Sequence, residues 1–123
     1  MYSKVLLDHF QNPRNIGEIA GATIVVETSN PVCGDVLKLF ARIENARIVE
    51  IRFLCRGCAA SIACASLLTE QVAGKTGGEA SAINAGFLSE ALGGLPPASF
   101  HAAQLAVDAL TQLLELASSE RPA

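Results

Sequence analysis

Four cysteines and two histidines are the side chains of this chain best suited to metal or sulfur chemistry. Cys33 stands in Asn30-Pro31-Val32-Cys33-Gly34-Asp35, a loop by composition, with Pro and Gly close to the thiol. Such a loop leaves the sulfur accessible and lets the Asp35 carboxylate, two residues on, approach the same point. Thiolate and carboxylate together suit zinc or iron. The structural alternative is a small buried hydrophobe beside an aspartate that caps a turn. Residue types alone leave both open.

The second cluster is Cys55-Arg56-Gly57-Cys58, followed by Cys64. Cys-x-x-Cys spacing invites a zinc or redox reading but is weak evidence by itself. Cys58 sits just before a helix, where the macrodipole and free N–H groups stabilise a thiolate. Gly57 permits a sharp turn there. Cys55 shares strand parity with Val49, Ile51 and Phe53, which read as a core face, so it is expected to pack rather than ligate. Cys64 lies about 240° around and about 9 Å along a helix from Cys58, too far for easy sharing of one metal. It too is expected in the core. His101 opens the last helix after Leu95-Pro96-Pro97-Ala98-Ser99-Phe100. A surface or capping role competes there with ligation, for which histidine is the commonest residue. His9 has no partner in the sequence and stays unassigned. Cys33, Asp35, Cys58 and His101 form a candidate S/O/S/N set. It suits tetrahedral zinc, and thiolates with imidazole can also hold a [2Fe–2S] cluster.

Which elements would bring these residues together? Residues 3–11 carry Val5, Leu6 and Phe10 at helical spacing, and Asn12-Pro13 closes that helix. Three β-rich stretches follow, at residues 23–28, 35–44 and 47–55, with Glu44-Asn45-Ala46 as a hairpin turn. So short a connection makes the last two strands antiparallel. Residues 61–73 read as an Ala/Leu-rich helix ended by Gly74, and Thr76-Gly77-Gly78 as a break. Short helices are expected around 79–83 and 87–92. A final helix over about 100–117 places Leu105, Ala109, Leu113 and Leu116 on one stripe, with a frayed tail from about 118. Strands first and helices afterwards argue an α+β fold, with helices on one face of a small antiparallel sheet. Residues 1–123 read as a single domain.

At 123 residues, half of them hydrophobic, the chain can build a core without a metal or disulfide staple. A net charge of −3 with nine Lys and Arg argues against nucleic-acid binding, which needs clustered positive charge. The N-terminus lacks the features of a signal peptide, and no apolar run approaches the roughly 20 residues that span a bilayer. The expectation is a cytoplasmic protein with no membrane association and reduced thiols.

These stretches resemble the IscU/NifU N-terminal family of iron–sulfur cluster assembly scaffolds, from about residue 2 to residue 115. Asp8-His9-Phe10-Gln11-Asn12-Pro13-Arg14-Asn15-Ile16-Gly17 is similar to the family's DHYxNPRNxG opening, and Cys33-Gly34-Asp35-Val36-Leu37-Lys38-Leu39 to its CGDxxKL segment. Gly57-Cys58, Ser61-Ile62-Ala63 and Ser66-Leu67-Leu68-Thr69-Glu70 resemble its GC…AIASxSxxTE segment, and Leu95-Pro96-Pro97 with His101 its LPPxKxHC segment. The resemblance implies a three-stranded antiparallel sheet packed against helices. It implies a non-enzymatic scaffold that takes sulfur from a cysteine desulfurase, builds a transient [2Fe–2S] cluster with iron, and passes it to apo iron–sulfur proteins. Many members hold Zn2+ in the same site. Cys33, Asp35, Cys58 and His101 take the family's metal- and cluster-binding positions. The chain departs from the pattern at Ala102, where the family has its third cysteine. It departs again at Ala98-Ser99, where the chaperone-recognised segment has Val-Lys, which argues against Hsp70-type handling. The spacing from Cys58 to His101 resembles the shorter IscU form rather than the SufU branch. The first departure supports a rival reading, a zinc-binding paralogue that modulates a cysteine desulfurase or relays its sulfur without assembling clusters. A second rival, an enzyme using Cys58 or Cys33 activated by His101, has no marked substrate pocket to support it.

Overall fold

The computed structural model describes residues 2–31 and 34–119. The first helix, α1, spans Lys4–Gln11; Ser3 caps it by accepting from the Leu6 N–H at 3.0 Å. Three strands follow, β1 (Ile24–Ser29), β2 (Val36–Glu44) and β3 (Arg47–Arg56), paired antiparallel in the order β1-β2-β3. Asn45 and Ala46 make the two-residue turn between β2 and β3, both with positive φ, the twist such a hairpin needs. Beyond the sheet come α2 (Ala59–Val72), α3 (Gly77–Ala80), α4 (Ala85–Ala91), a 3₁₀ turn at Pro97–Ser99 and α5 (Phe100–Ser119). The architecture is α+β, as the order of elements implies.

One face of the sheet, bearing Ile24, Val26, Leu37, Leu39, Ala41, Ile48, Ile51 and Phe53, is buried with α2 and α5. Buried residues occur all round α2, from Ala60 to Val72, so it runs through the middle of the molecule with α1 also packed on it. The edge of β3 is partly covered by the segment after α1. Gly17 N–H donates to Phe53 O at 2.8 Å, and Phe53 N–H to Asn15 O at 2.9 Å.

Several local expectations change. The parity argument that placed Val49 inward fails, because a register shift at Arg42/Ile43 moves the inward side chain to Ile48 and leaves Val49 45% exposed. In α1 the buried residues are Leu6 and His9, while Val5 and Phe10 face outward. Leu116 drifts off the α5 stripe to the surface. Gly77 and Gly78 are the first residues of α3 rather than a break, because the Thr76–Glu79 capping box starts the helix ahead of them. Residues 118 and 119 continue α5, and residues 120–123 lie outside the described residues.

Candidate metal centre

Asp35, Cys58 and His101 arrive from three different elements. Asp35 immediately precedes β2, at the base of the loop joining β1 to β2. That loop is closed by Asn30 N–H to Asp35 O at 2.9 Å and Gly34 N–H to Asn30 O at 2.8 Å. Gly34 takes φ +76°, a left-handed conformation that side chains resist. Cys58 is the N-cap of α2, in extended geometry, and its side chain makes no capping bond, so its sulfur stands at the positive end of the helix macrodipole. His101 is the second residue of α5, delivered by the 3₁₀ turn that follows Pro96.

One ligand atom from each of the three lies within 4.8 Å of the others. His101 Nε2 is 4.0 Å from Asp35 Oδ2. Two donors held about 2.0 Å from one tetrahedral ion stand roughly 3.3 Å apart, so His101 and Asp35 need about 0.7 Å of closure and no pair of the set needs more than about 1.5 Å to grip a metal. Carboxylate, thiol and imidazole are the donors that zinc and iron accept, so the chemistry of the set fits such an ion. Asp35 is buried, whereas Cys58 and His101 are half-exposed. The cluster is therefore anchored from below and open from above.

Sequence reasoning missed two neighbours that shape this cluster. Ser61, one turn into α2, donates its hydroxyl to Asp35 Oδ2 and lies 3.4 Å from Cys58 Sγ. Its signal was present: a position three residues after a helix N-cap faces the same way as the cap. Gly57 is the second. A Cβ there would stand 2.7 Å from Asp35 Cγ and 2.9 Å from Oδ2, so only glycine lets the carboxylate lie against this backbone.

Cys33 lies outside the described residues. Cys64 is fully buried, and burial pushes its thiol up to about 12. Cys55 is half-buried against the core, its thiol also pushed up to about 12, by burial first and then by Asp35 and Cys58 nearby. Ala102 is a core residue, 1% exposed. His9 is buried in a different place. Its Nδ1 is 2.8 Å from Ser66 Oγ and its Nε2 3.6 Å from Glu70, tying α1 to α2. A cavity of about 710 Å³ lies near the β2–β3 turn, floored by Ile24, Ile43, Ile48 and Leu114, and none of the converging residues lines it.

Comparison with known proteins places this geometry. Residues 1–116 match the NifU-like N terminal domain. The chain belongs to that family. Relatives include the iron–sulfur cluster assembly scaffold protein IscU 1 of Archaeoglobus fulgidus, 46% identical over 93% of this chain and 74% of the relative. Another is the IscU scaffold protein of Escherichia coli K12, 40% identical over 99% of this chain and 98% of the relative. Among solved structures, a protein described as a SUF-system cluster assembly scaffold from Fervidobacterium islandicum aligns at a TM-score of 0.78. It is 27% identical and covers 92% of this chain and 96% of its own. The N-terminal NifU-like protein of Brucella abortus, 17% identical over 97% of this chain and 95% of its own, shares the fold at the same TM-score. This NifU-like domain has the three-stranded antiparallel sheet and covering helices that the family resemblance implied. Among the described residues no helix is long and apolar enough to cross a membrane.

Proposed function

We propose that this NifU-like domain is an iron–sulfur cluster assembly scaffold rather than an enzyme. Cys33, Asp35, Cys58 and His101 receive iron and the sulfur released by a cysteine desulfurase, hold them as a transient [2Fe–2S] cluster once an external electron donor has reduced that sulfur to sulfide, and surrender it to apo iron–sulfur proteins. The cluster is cargo, and what the chain supplies is a rigid donor set with an open side. The observation that carries this reading is the meeting of Asp35, Cys58 and His101 within 4.8 Å, from three elements distant in sequence, in a chain of this family. Cys33, two residues before Asp35 in the sequence, is the proposed fourth donor. Asn30, Gly34 and Asp35 are linked by backbone hydrogen bonds.

Anaerobic reconstitution with ferrous iron and sulfide tests the reading. The scaffold reading expects iron and sulfide in equal amounts on the protein, a visible charge-transfer spectrum, and transfer of the cluster to an apo-ferredoxin. Ala102 supports a second reading. Its methyl can neither ligate a metal nor carry a persulfide, which suits a zinc-binding paralogue that modulates a desulfurase or relays its sulfur. Tight zinc binding together with failure to assemble any cluster would favour that role, whereas bound zinc alone fits both.

A further inference from the structure

Ser61 Oγ meets two of the three converging side chains at once, and only 2% of the residue is exposed. A hydroxyl has one proton to give, and an ionised carboxylate can only accept. The Ser61 proton therefore goes to Asp35 Oδ2, and Ser61 Oγ also lies 3.4 Å from Cys58 Sγ. Gly57 backs the carboxylate on another side, with no room for a Cβ.

We infer that Ser61 is a positioning residue of the metal centre, its hydroxyl fixing the plane of the Asp35 carboxylate so that one oriented oxygen faces the metal beside Cys58 and His101. The inference rests on the metal-site reading above. A buried carboxylate without a donor would be costly to keep charged and free to rotate. The oxygen that Ser61 holds, Oδ2, is also the one 4.0 Å from His101 Nε2, so the hydroxyl sets the direction of the carboxylate toward the other two donors. Groups that hydrogen-bond to metal ligands typically govern affinity by about ten- to a hundredfold.

The test uses the full chain, reduced and metal-free, titrated with Zn2+ against a chromophoric chelator and with Co2+ by its absorption spectrum. Ser61→Ala should weaken zinc binding by about ten- to a hundredfold and alter the Co2+ ligand-field bands. Ser61→Thr keeps the hydroxyl and Ser61→Val matches it in size. The loss should appear in Val and not in Thr, which holds even where Ala disturbs packing. In an Asp35→Ala background, Ser61→Ala should cost nothing further, because the hydroxyl acts through that carboxylate. Equal losses in both backgrounds would show a packing role and overturn the inference. So would a Ser61→Ala protein that binds like the wild type, leaving the metal site itself standing. A wild type that binds neither ion would remove the site and Ser61's role with it.

Discussion

Gly57→Ala is the smallest change that should empty the candidate centre while leaving the fold intact. The added Cβ would stand 2.7 Å from Asp35 Cγ, 2.9 Å from Oδ2 and 3.0 Å from Oδ1. Ordinary carbon–carbon contact begins near about 3.5 Å, so the carboxylate must retreat by roughly 0.8 Å. Its side chain is short and is held by the Ser61 hydroxyl, so retreat strains or breaks that bond. Metal ligation tolerates only about ±0.2 Å. The displacement is several times that, and zinc affinity should fall by at least about ten- to a hundredfold. Stability should move less. Gly57 does not occupy the left-handed region, so alanine gains about 0.4–1 kcal/mol from a less flexible unfolded chain. Overpacking against Asp35 costs about 1–3 kcal/mol. The net loss of at most about 2–3 kcal/mol leaves a domain of ordinary stability folded. Zinc competition titration beside a circular-dichroism melt separates the two effects. Zinc affinity within about threefold of wild type would mean that Asp35 is not a ligand or moves freely, and the reasoning would fail.

Cys55→Ala and Cys64→Ala should both keep wild-type metal content, measured by elemental analysis, and Cys64→Ala should cost about 1 kcal/mol because that side chain is fully buried. Burial, with help from Arg14, lowers the His9 pKa below its usual 6.5 despite Glu70 and Asp8, so the unfolded chain binds that proton more readily. Stability of the metal-free protein should therefore fall as pH drops below about 6.5, and His9→Gln should flatten the melting-temperature slope relative to wild type. Ala46 holds φ +62° in the hairpin turn, so Ala46→Gly should gain about 1 kcal/mol, seen as a rise of about 4 °C in melting temperature. Ala102→Cys should raise the yield and persistence of reconstituted cluster by iron and sulfide analysis, at a stability cost of about 1 kcal/mol for a sulfur placed in a packed core.

The fold class and most elements were legible because their signals are local: Asn12-Pro13 after α1, polar Asn45 at the hairpin, Pro96-Pro97 before α5. What failed was anything decided by packing across elements. Strand parity misplaced Val49 because the irregularity at Arg42/Ile43 is a relation between β2 and β3, invisible in either strand alone. His9 found no partner in the sequence because Ser66 and Glu70 lie a turn apart on a helix more than fifty residues away. Gly77 and Gly78 read as a break because glycine disfavours helix, yet Thr76 and Glu79 bracket them with reciprocal caps. In the candidate centre the donor types were legible and their supports were not. The spacing of Ser61 from Cys58 was legible, but its bond to a carboxylate twenty-odd residues upstream, and Gly57's contact with the same carboxylate, are announced by neither composition nor spacing.

The position of Ala102 explains how a domain of this family folds without the third cysteine. Successive residues on a helix point about 100° apart, so His101 and Ala102 present different faces of α5. His101 takes the half-exposed direction toward Asp35, and Ala102 turns into the core with Ala103 and Leu105. Beneath the centre, the cross-strand row of Thr28, Leu37 and Cys55 starts the closed interior. The polar donors thus form a cap on a core that is complete without them, and an alanine at position 102 fills its place in that core. Folding does not need the third thiol. In the proposed scaffold what a thiol here would add is chemical, and Ala102 would leave the orienting of the donors to Asp35 and the hydroxyl that holds it.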